Sequence, residues 1–494
     1  MYILVQEKTA EQQLFEEQVK LFKTAVNRMN YTDKKKKQSV ISYDIDTINK
    51  WMNNPVTYEA QLRTLSQYFY NVSALYKLII RYMALMPTYA YTVIPTDMPE
   101  KVDKAKLKKQ YMKTLSYIDK MNLSHEMIKA LTIAFKEDTF FGYEHESKDS
   151  YFIQQLDAKF CRISSIEDGV YNFAFDFAYF DSYREELELF PNEFKQKYNI
   201  YKATKERWIE LDPLKSVCFK VNSDFLYSLP PFATMFQSIV DLDDYKEIKK
   251  DRAKNDNFMA FIQKIPLDEK NPDINKFLID LDLAMTFHNM ASDTLPEGVG
   301  VITSPMDIEA VKTEKNKTDS DLVSEAYREA FRDGGVSEFL FNSDKNTSVG
   351  LAKSIITDEE VVFAMLRQIE RWVNRKLKNM SGVYKFKFKL LDLTVFNREE
   401  KQKQYLESAQ YGIPVILEIG ATLGLTPLDF INKVTLESDI LGLHDILEPL
   451  QSSFNKVNKV GEGEKGRPKA SESKISDSGQ KNKDKGSDTK RKEG

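Results

Sequence analysis

The chain has 494 residues, with 71 Lys or Arg against 75 Asp or Glu and a formal charge of −4. A protein that grips nucleic acid over a broad surface neutralises many phosphates and is normally basic, so the balance argues against that class. The two cysteines, Cys161 and Cys218, have no C-x-x-C partner, which leaves no disulfide framework and no thiolate zinc site. With 42% hydrophobic and 12% aromatic residues, the length predicts two or three domains.

In chain order, the opening MYILVQEKTAEQQ has neither a basic n-region nor a long apolar core, so no secretory signal is expected. Residues 1–30 read as a polar helix, and Lys34 to Lys37 as a solvated break. Asn54-Pro55 reads as an N-cap and first helical position. The stripe Tyr58, Leu62, Leu65, Phe69, Val72, Tyr76, Ile79 and Met83 then predicts one helix that Pro87 ends. Leu75 to Ile94 is the most membrane-like stretch, but it carries Lys77 and Arg81 and predicts a buried helix, with no membrane span. Residues 97–135 read as helical. Short aromatic and β-branched runs from Thr139 to Val221 predict a strand-rich region with a short helix at Pro191 to Tyr198.

Pro230-Pro231 opens a second helix, striped by Phe232, Phe236, Ile239, Leu242, Tyr245 and Ile248 and running to about Lys254. A compact insert follows: a strand at Phe258 to Ile265, a helix near Ile274 to Met290 and a strand at Val299 to Thr303. A helix from Leu322 to Arg332, capped by Asp319 or Ser320, ends at Gly334-Gly335. Gly335 to Gly350 reads as an exposed loop with an apolar patch. Leu351 to Asn379 reads as a long helix striped by Ile355, Val362, Met365, Ile369 and Trp372. Tyr384, Phe386, Phe388 and Leu390 alternate with Lys385, Lys387 and Lys389, the pattern of a half-buried strand. Asn397 with Glu400 predicts a capped helix to Gly412, and Pro414 and Thr426-Pro427 start two more. From Asn455 the chain is low in complexity, with 12 Lys or Arg against 7 Asp or Glu; the remainder of the chain holds −9. This tail is expected to be disordered.

No P-loop motif occurs. The one G-x-G-x-x-G, at Gly461, Gly463 and Gly466, lies in the tail without the strand-to-helix turn that aims amides at a phosphate. The four histidines, His125, His145, His288 and His444, form no H-E-x-x-H, since Lys129 stands where a second ligand is needed. Asp241, Asp243 and Asp244 match no EF-hand or nuclease spacing and suit the wet face of a helix. Gly420 and Gly424 sit in too short and wet a segment for a membrane dimer motif. The expectation is therefore no catalytic residue, no metal and no cofactor. A metal-dependent nuclease using Asp176, Asp181, Asp241 and Asp244 is a competing reading.

The segments at 62–89, 229–266, 295–311 and 328–378, taken in that order, make the chain resemble portal proteins of tailed double-stranded DNA bacteriophages over roughly residues 40–450. The resemblance implies an α+β, mostly helical portal fold with wing, stem, clip and crown regions. It implies an N-terminal arm and α/β wing at 1–230, a stem helix at 231–254, a clip at 255–311 and a second stem helix at 312–333. A channel (tunnel) loop at 334–350, a wing helix and strand at 351–396, a helical crown at 397–454 and the basic tail at 455–494 complete the layout. Channel-loop residues are then Phe339, Leu340, Phe341 and Lys345. Stem residues are Tyr245, Lys249, Glu325, Arg328, Glu329 and Arg332, and clip-interface residues are Phe258, Phe261, Val299 and Val301. The implied protein is a structural, non-enzymatic ring, usually of twelve copies, at the portal vertex of the virion and assembled in the host cytoplasm. Double-stranded DNA passes through it during packaging and ejection. Its partners are the terminase motor, the head-to-tail connector and the major capsid and scaffold proteins. The stem departs from a basic pattern, since Glu325, Arg328, Glu329, Arg332 and Asp333 mix signs. Another phage structural protein, a neck or capsid component, is the alternative to the portal.

Overall fold

The computed structural model describes residues 44–148, 150–225, 227–256, 259–266, 278–294, 299–304, 319–336 and 348–443. These form two units, Met1–Lys433 and Val434–Gly494. Described of the second is little beyond the π-helical turn Thr435–Ile440. The predicted N-terminal polar helix, the Lys34 to Lys37 break and the tail lie outside the described residues, as does His444.

The architecture is α+β and mostly helical, as the periodicities predicted. The stripe read across 58–83 is carried by two helices, α2 (Glu59–Val72) and α3 (Ala74–Leu85), preceded by α1 (Ile45–Asn53). Two expectations fail here. Asn54-Pro55 does not start a helix: Asn54 closes α1, its backbone amide donating to the Trp51 carbonyl. The single long helix is broken at Ser73, which is extended and whose Oγ accepts from the Tyr76 amide at 3.3 Å. A side-chain acceptor competes with helix continuation at such a residue. The break turns Val72 to solvent, while Leu62, Leu65, Phe69, Tyr76, Ile79 and Met83 stay buried.

Strand β1 (Tyr91–Pro95) follows, then α4 (Lys104–Lys120) and α5 (Leu123–Glu137), divided where Asn122 takes a left-handed conformation. Asn tolerates that region better than most residues, so the predicted continuous helix stops there. Strands β2 (Thr139–Glu146), β3 (Tyr151–Gln155), β4 (Cys161–Glu167) and β5 (Val170–Asp176) come next. Helix α6 (Asn192–Thr204), longer than the predicted Pro191 to Tyr198, precedes β6 (Trp208–Glu210) and β7 (Ser216–Lys220). They make two antiparallel three-stranded sheets, β3-β2-β7 and β4-β5-β6.

Alternation along β2 divides two cores. Phe140 joins a main core with Phe219, Trp372 and the stripe of α2 and α3. Phe141 and Tyr143 join an aromatic cluster built around Phe173, Phe175, Phe177, Phe180 and Phe194. Between them Gly142 leaves room: a Cβ there would stand 2.7 Å from Ile153 and 2.8 Å from the Phe140 ring. Cys161 and Cys218 are buried free thiols.

The long helix, α10 by the order set out below, spans Ser348–Asn379 and buries Val362, Met365, Leu366, Ile369, Trp372, Val373 and Leu377. The strand β10 (Phe386–Leu390) alternates buried and exposed as predicted, with Phe386, Phe388 and Leu390 inward. It pairs antiparallel with β1, Val93 opposite Phe388. Asn397 does not cap the next helix, α11 (Arg398–Gln410). Its Oδ1 accepts from the Thr394 amide at 2.9 Å instead, so a turn before the helix takes the group that was expected to cap it. Helices α12 (Ile416–Thr422) and α13 (Pro427–Val434) follow, the latter with Thr426 and Asp429 in reciprocal capping bonds.

Two buried neighbours on β2 titrate in opposite senses. The Glu144 carboxylate pairs with Lys376 of the long helix, yet burial pushes its carboxyl up to about 7. The His145 ring stacks on Phe152 and bonds Gln154 Oε1 at 2.8 Å, and burial pulls it down to about 4. Between pH 4 and 6.5 the unfolded chain protonates His145 while the folded chain does not, so this group makes stability rise with pH. Between pH 4.5 and 7 the folded chain keeps the Glu144 proton longer, so that group makes stability fall with pH. The difference in unfolding free energy between wild type and His145→Gln should therefore grow from pH 4 to 6.5. That between wild type and Glu144→Gln/Lys376→Met should shrink from pH 4.5 to 7. The slopes should reach at most about 1.4 kcal/mol per pH unit in denaturant titrations. Parallel, pH-independent differences would contradict this.

Candidate functional site

Helices α7 (Phe236–Asp256) and α9 (Asp319–Asp333) lie side by side. A short 3-10 turn, Ala233–Met235, precedes α7, so the helix starts later than the Pro230-Pro231 signal predicted. Thr234 and Ser238 donate to the main-chain and side-chain oxygens of Asp333, at the end of α9. Further along α7, eight residues past Ser238, Lys246 stands 5.8 Å from the Tyr327 ring, which lies six residues before Asp333 in α9. These two ties make the pair antiparallel.

The root of the pair is planted in the main core. The Phe236 ring packs at a tilt with its centroid 5.3 Å from that of Phe69 and 5.9 Å from that of Tyr76. Ile239 and Leu242 of α7, Ala326, Ala330 and Phe331 of α9, and Val336 beyond it are buried in the same cluster. Gly335 takes the left-handed turn that ends α9, as the Gly-Gly signal predicted. The predicted stripe of α7 then continues past the core: Tyr245 is 40% exposed and Ile248 49%.

Beyond the pair lies a β-α-β insert of β8 (Met259–Lys264), α8 (Leu281–Thr294) and β9 (Val299–Ser304). The strands are parallel, with Phe261 opposite Val301 and Met259 opposite Val299. His288 Nδ1 lies 2.9 Å from Thr303 Oγ1, which donates to Gln263 Oε1 at 3.2 Å. A parallel pair normally sits inside a larger sheet covered on both faces. Among the described residues no third strand joins this one. Leu278, Leu283, Met285 and Phe287 stand exposed, Leu278 and Met285 at about 60%.

Of the expected stem residues, Glu325, Glu329 and Arg332 are exposed and Arg328 is half-buried. The side chain of Lys249 and those of Phe261, Val299 and Val301 are outside the described set. Phe258 and the loop residues Phe339, Leu340, Phe341 and Lys345 lie outside the described residues altogether.

The residue that ties the entry of α7 to the sheet β3-β2-β7 carries no sequence signal. Asp138, fully buried and in a left-handed conformation, pairs with the buried Lys220. It also accepts from the amides of Asn222 at 2.8 Å and Leu229 at 3.3 Å. Lys220 Nζ donates in turn to the Tyr227 carbonyl at 2.8 Å, and Gln368 of α10 bonds both the amide and the carbonyl of Lys220. One carboxylate thus fixes β2, β7 and the segment that delivers α7. Burial pushes its carboxyl up, against the pull of Lys220 and the two amides.

The acids of the nuclease reading do not gather. Asp176 pairs with Arg207, and Asp181 is held by Lys202, Tyr198 and Tyr201, which keep its carboxyl down at about 2. Asp241 and Asp244 are on α7. Among the described residues, no group of three His, Cys, Asp or Glu could hold a metal, and no helix is long and apolar enough to cross a membrane.

No protein-family description and no curated protein matches the chain. Among solved structures, it is similar to a chain of the virion of a native gene transfer agent particle, at 13% identity and TM-score 0.40, covering 75% of this chain and 94% of that one. A chain from the neck of an empty gene transfer agent particle gives 13% and 0.39 with the same coverage. An HK97 family phage portal protein from Corynebacterium diphtheriae gives 12% and 0.28, covering 65% and 93%.

Replacing Asp138 by Asn should leave the Lys220 ammonium buried without its counter-charge and cost about 3–5 kcal/mol in urea unfolding. Asp138→Asn/Lys220→Met should recover part of that loss. Equal stability of the single variant and wild type would contradict the hub role.

Proposed function

We propose that the chain is a portal protein of a tailed bacteriophage: a structural subunit that closes with its own copies into a ring around a DNA channel. The observation that carries the reading is the unfinished arm. An antiparallel helix pair, rooted in the main core, keeps its apolar stripe going at Tyr245 and Ile248, which no described residue covers. It leads to a two-stranded insert with further exposed apolar side chains. Large apolar side chains each gain about 1.5–3 kcal/mol on full burial, so an arm of this kind calls for neighbours. Rings close through two different patches on each subunit, related by rotation.

In this reading the helix pair is the stem, the insert is the clip that meets the packaging motor and later the head-to-tail connector, and residues 334–350 supply the channel loop. The role is conduction without chemistry. The mixed signs at Glu325, Arg328, Glu329 and Arg332, on a body that is acidic overall, would let a duplex slide instead of holding it by its phosphates. Capsid and scaffold proteins would contact the wing from outside.

Tyr245→Asp/Ile248→Asp tests the arm directly. The variant should keep the wild-type circular dichroism spectrum but lose the high-mass assembly in light scattering, dropping to single subunits. An assembly of unchanged mass would overturn the stem assignment.

A further inference from the structure

The acidic body carries a concentrated basic surface that the channel reading leaves unused. Arg367, Arg371 and Lys378 follow one another along α10, and Lys385, Lys387 and Lys389 alternate outward on β10. All but Lys389 line a groove of about 700 Å³ between helix and strand, together with the acids Asp168 and Glu370. Its walls are fixed by main-chain bonds. Asn374 takes both the amide and the carbonyl of Phe388 at 2.8 Å, and Glu370 accepts from the Leu390 amide at 3.2 Å.

Half of the cations are spoken for. Lys378 pairs with Asp168, Arg367 with Glu370 and Asp392, and Lys385 donates to the carbonyls of Lys378 and Met380. Arg371, Lys387 and Lys389 have no hydrogen bond or ion pair among the described residues. The Arg371 guanidinium lies over the Asp168-Gly169 turn of the β4–β5 hairpin: a Cβ on Gly169 would stand 2.1 Å from its Nη1, and Gly169 has a positive φ. The hairpin therefore holds this arginine at the groove without neutralising it.

The outward lysines of β10, Lys385, Lys387 and Lys389, repeat every ~6.8 Å, and Arg367 and Arg371 stand ~6 Å apart along α10. That is close to the separation of successive phosphates on a nucleic-acid strand, and an evenly spaced strand row whose Lys387 and Lys389 are unpaired among the described residues suits a polyanion of regular charge better than a folded protein's scattered carboxylates. We propose that this groove binds the phosphodiester backbone of DNA, at a surface distinct from every stem, clip and loop residue named above. Ring formation and groove binding are separable: a chain that forms no ring could still bind here, and a ring with a neutral groove could still conduct.

The test is fluorescence anisotropy of a labelled 20-base-pair duplex with the full chain, titrated from 50 to 200 mM salt. It compares wild type, Arg371→Gln/Lys387→Gln/Lys389→Gln, and a control of equal charge at scattered exposed sites, Lys148→Gln/Lys159→Gln/Lys403→Gln. The groove variant should bind at least ~10-fold more weakly, with a salt slope shallower by about 2–3, while the control stays within about twofold of wild type. Equal losses in both variants would show a mere effect of net charge and overturn the proposal. So would unchanged DNA binding by the groove variant, including the case in which it loses only binding to a poly-glutamate peptide, which would point to an acidic protein partner.

Discussion

A helix that leaves a hydrophobic core must stop being amphipathic or find another surface to cover its apolar side. Helix α7 does not stop: Phe236, Ile239 and Leu242 are buried in the main core, and the same stripe emerges at Tyr245 and Ile248. The proposed ring depends on this one uncovered stripe. The partner helix α9 covers one flank through Ala326 and Ala330, and the insert beyond adds an open two-stranded sheet and more exposed apolar side chains. Identical neighbours are the economical cover for a surface that every copy presents.

The two three-stranded sheets and α10 supply the rigidity such an arm needs. Two cores lie on either face of β2, and long-range ties stitch them to α10: Glu144 with Lys376, Lys220 with Gln368, Arg375 with Asn172 at 2.8 Å. Asp138 then fixes the segment that enters α7. The direction of the arm is set by buried polar groups of fixed geometry, and apolar contact alone would constrain it less.

Periodicity made much of this legible. The β10 alternation, the long-helix stripe and the Gly-Gly stop each follow from a repeat or a backbone requirement that one short window contains. The breaks at Ser73 and Asn122 were not legible, because a polar residue inside an apolar stripe looks the same whether it interrupts the helix or faces water. The Asp138–Lys220 and Glu144–Lys376 pairs join residues 82 and 232 apart in sequence, and nothing local marks an acid that will be buried. The lysines of β10 were visible as an outward face. Their pairing with Arg371 into one groove needed the packing of α10 on the strand. Acidic average charge concealed it, since net charge reports the sum and not the distribution.

The central claim is closure of identical copies around a hole, and an image of the purified full chain tests it most directly. Negative-stain class averages at virion-like salt should show closed annuli with an axial opening wide enough for a duplex. Single subunits alone, or oligomers with no such opening, would contradict it.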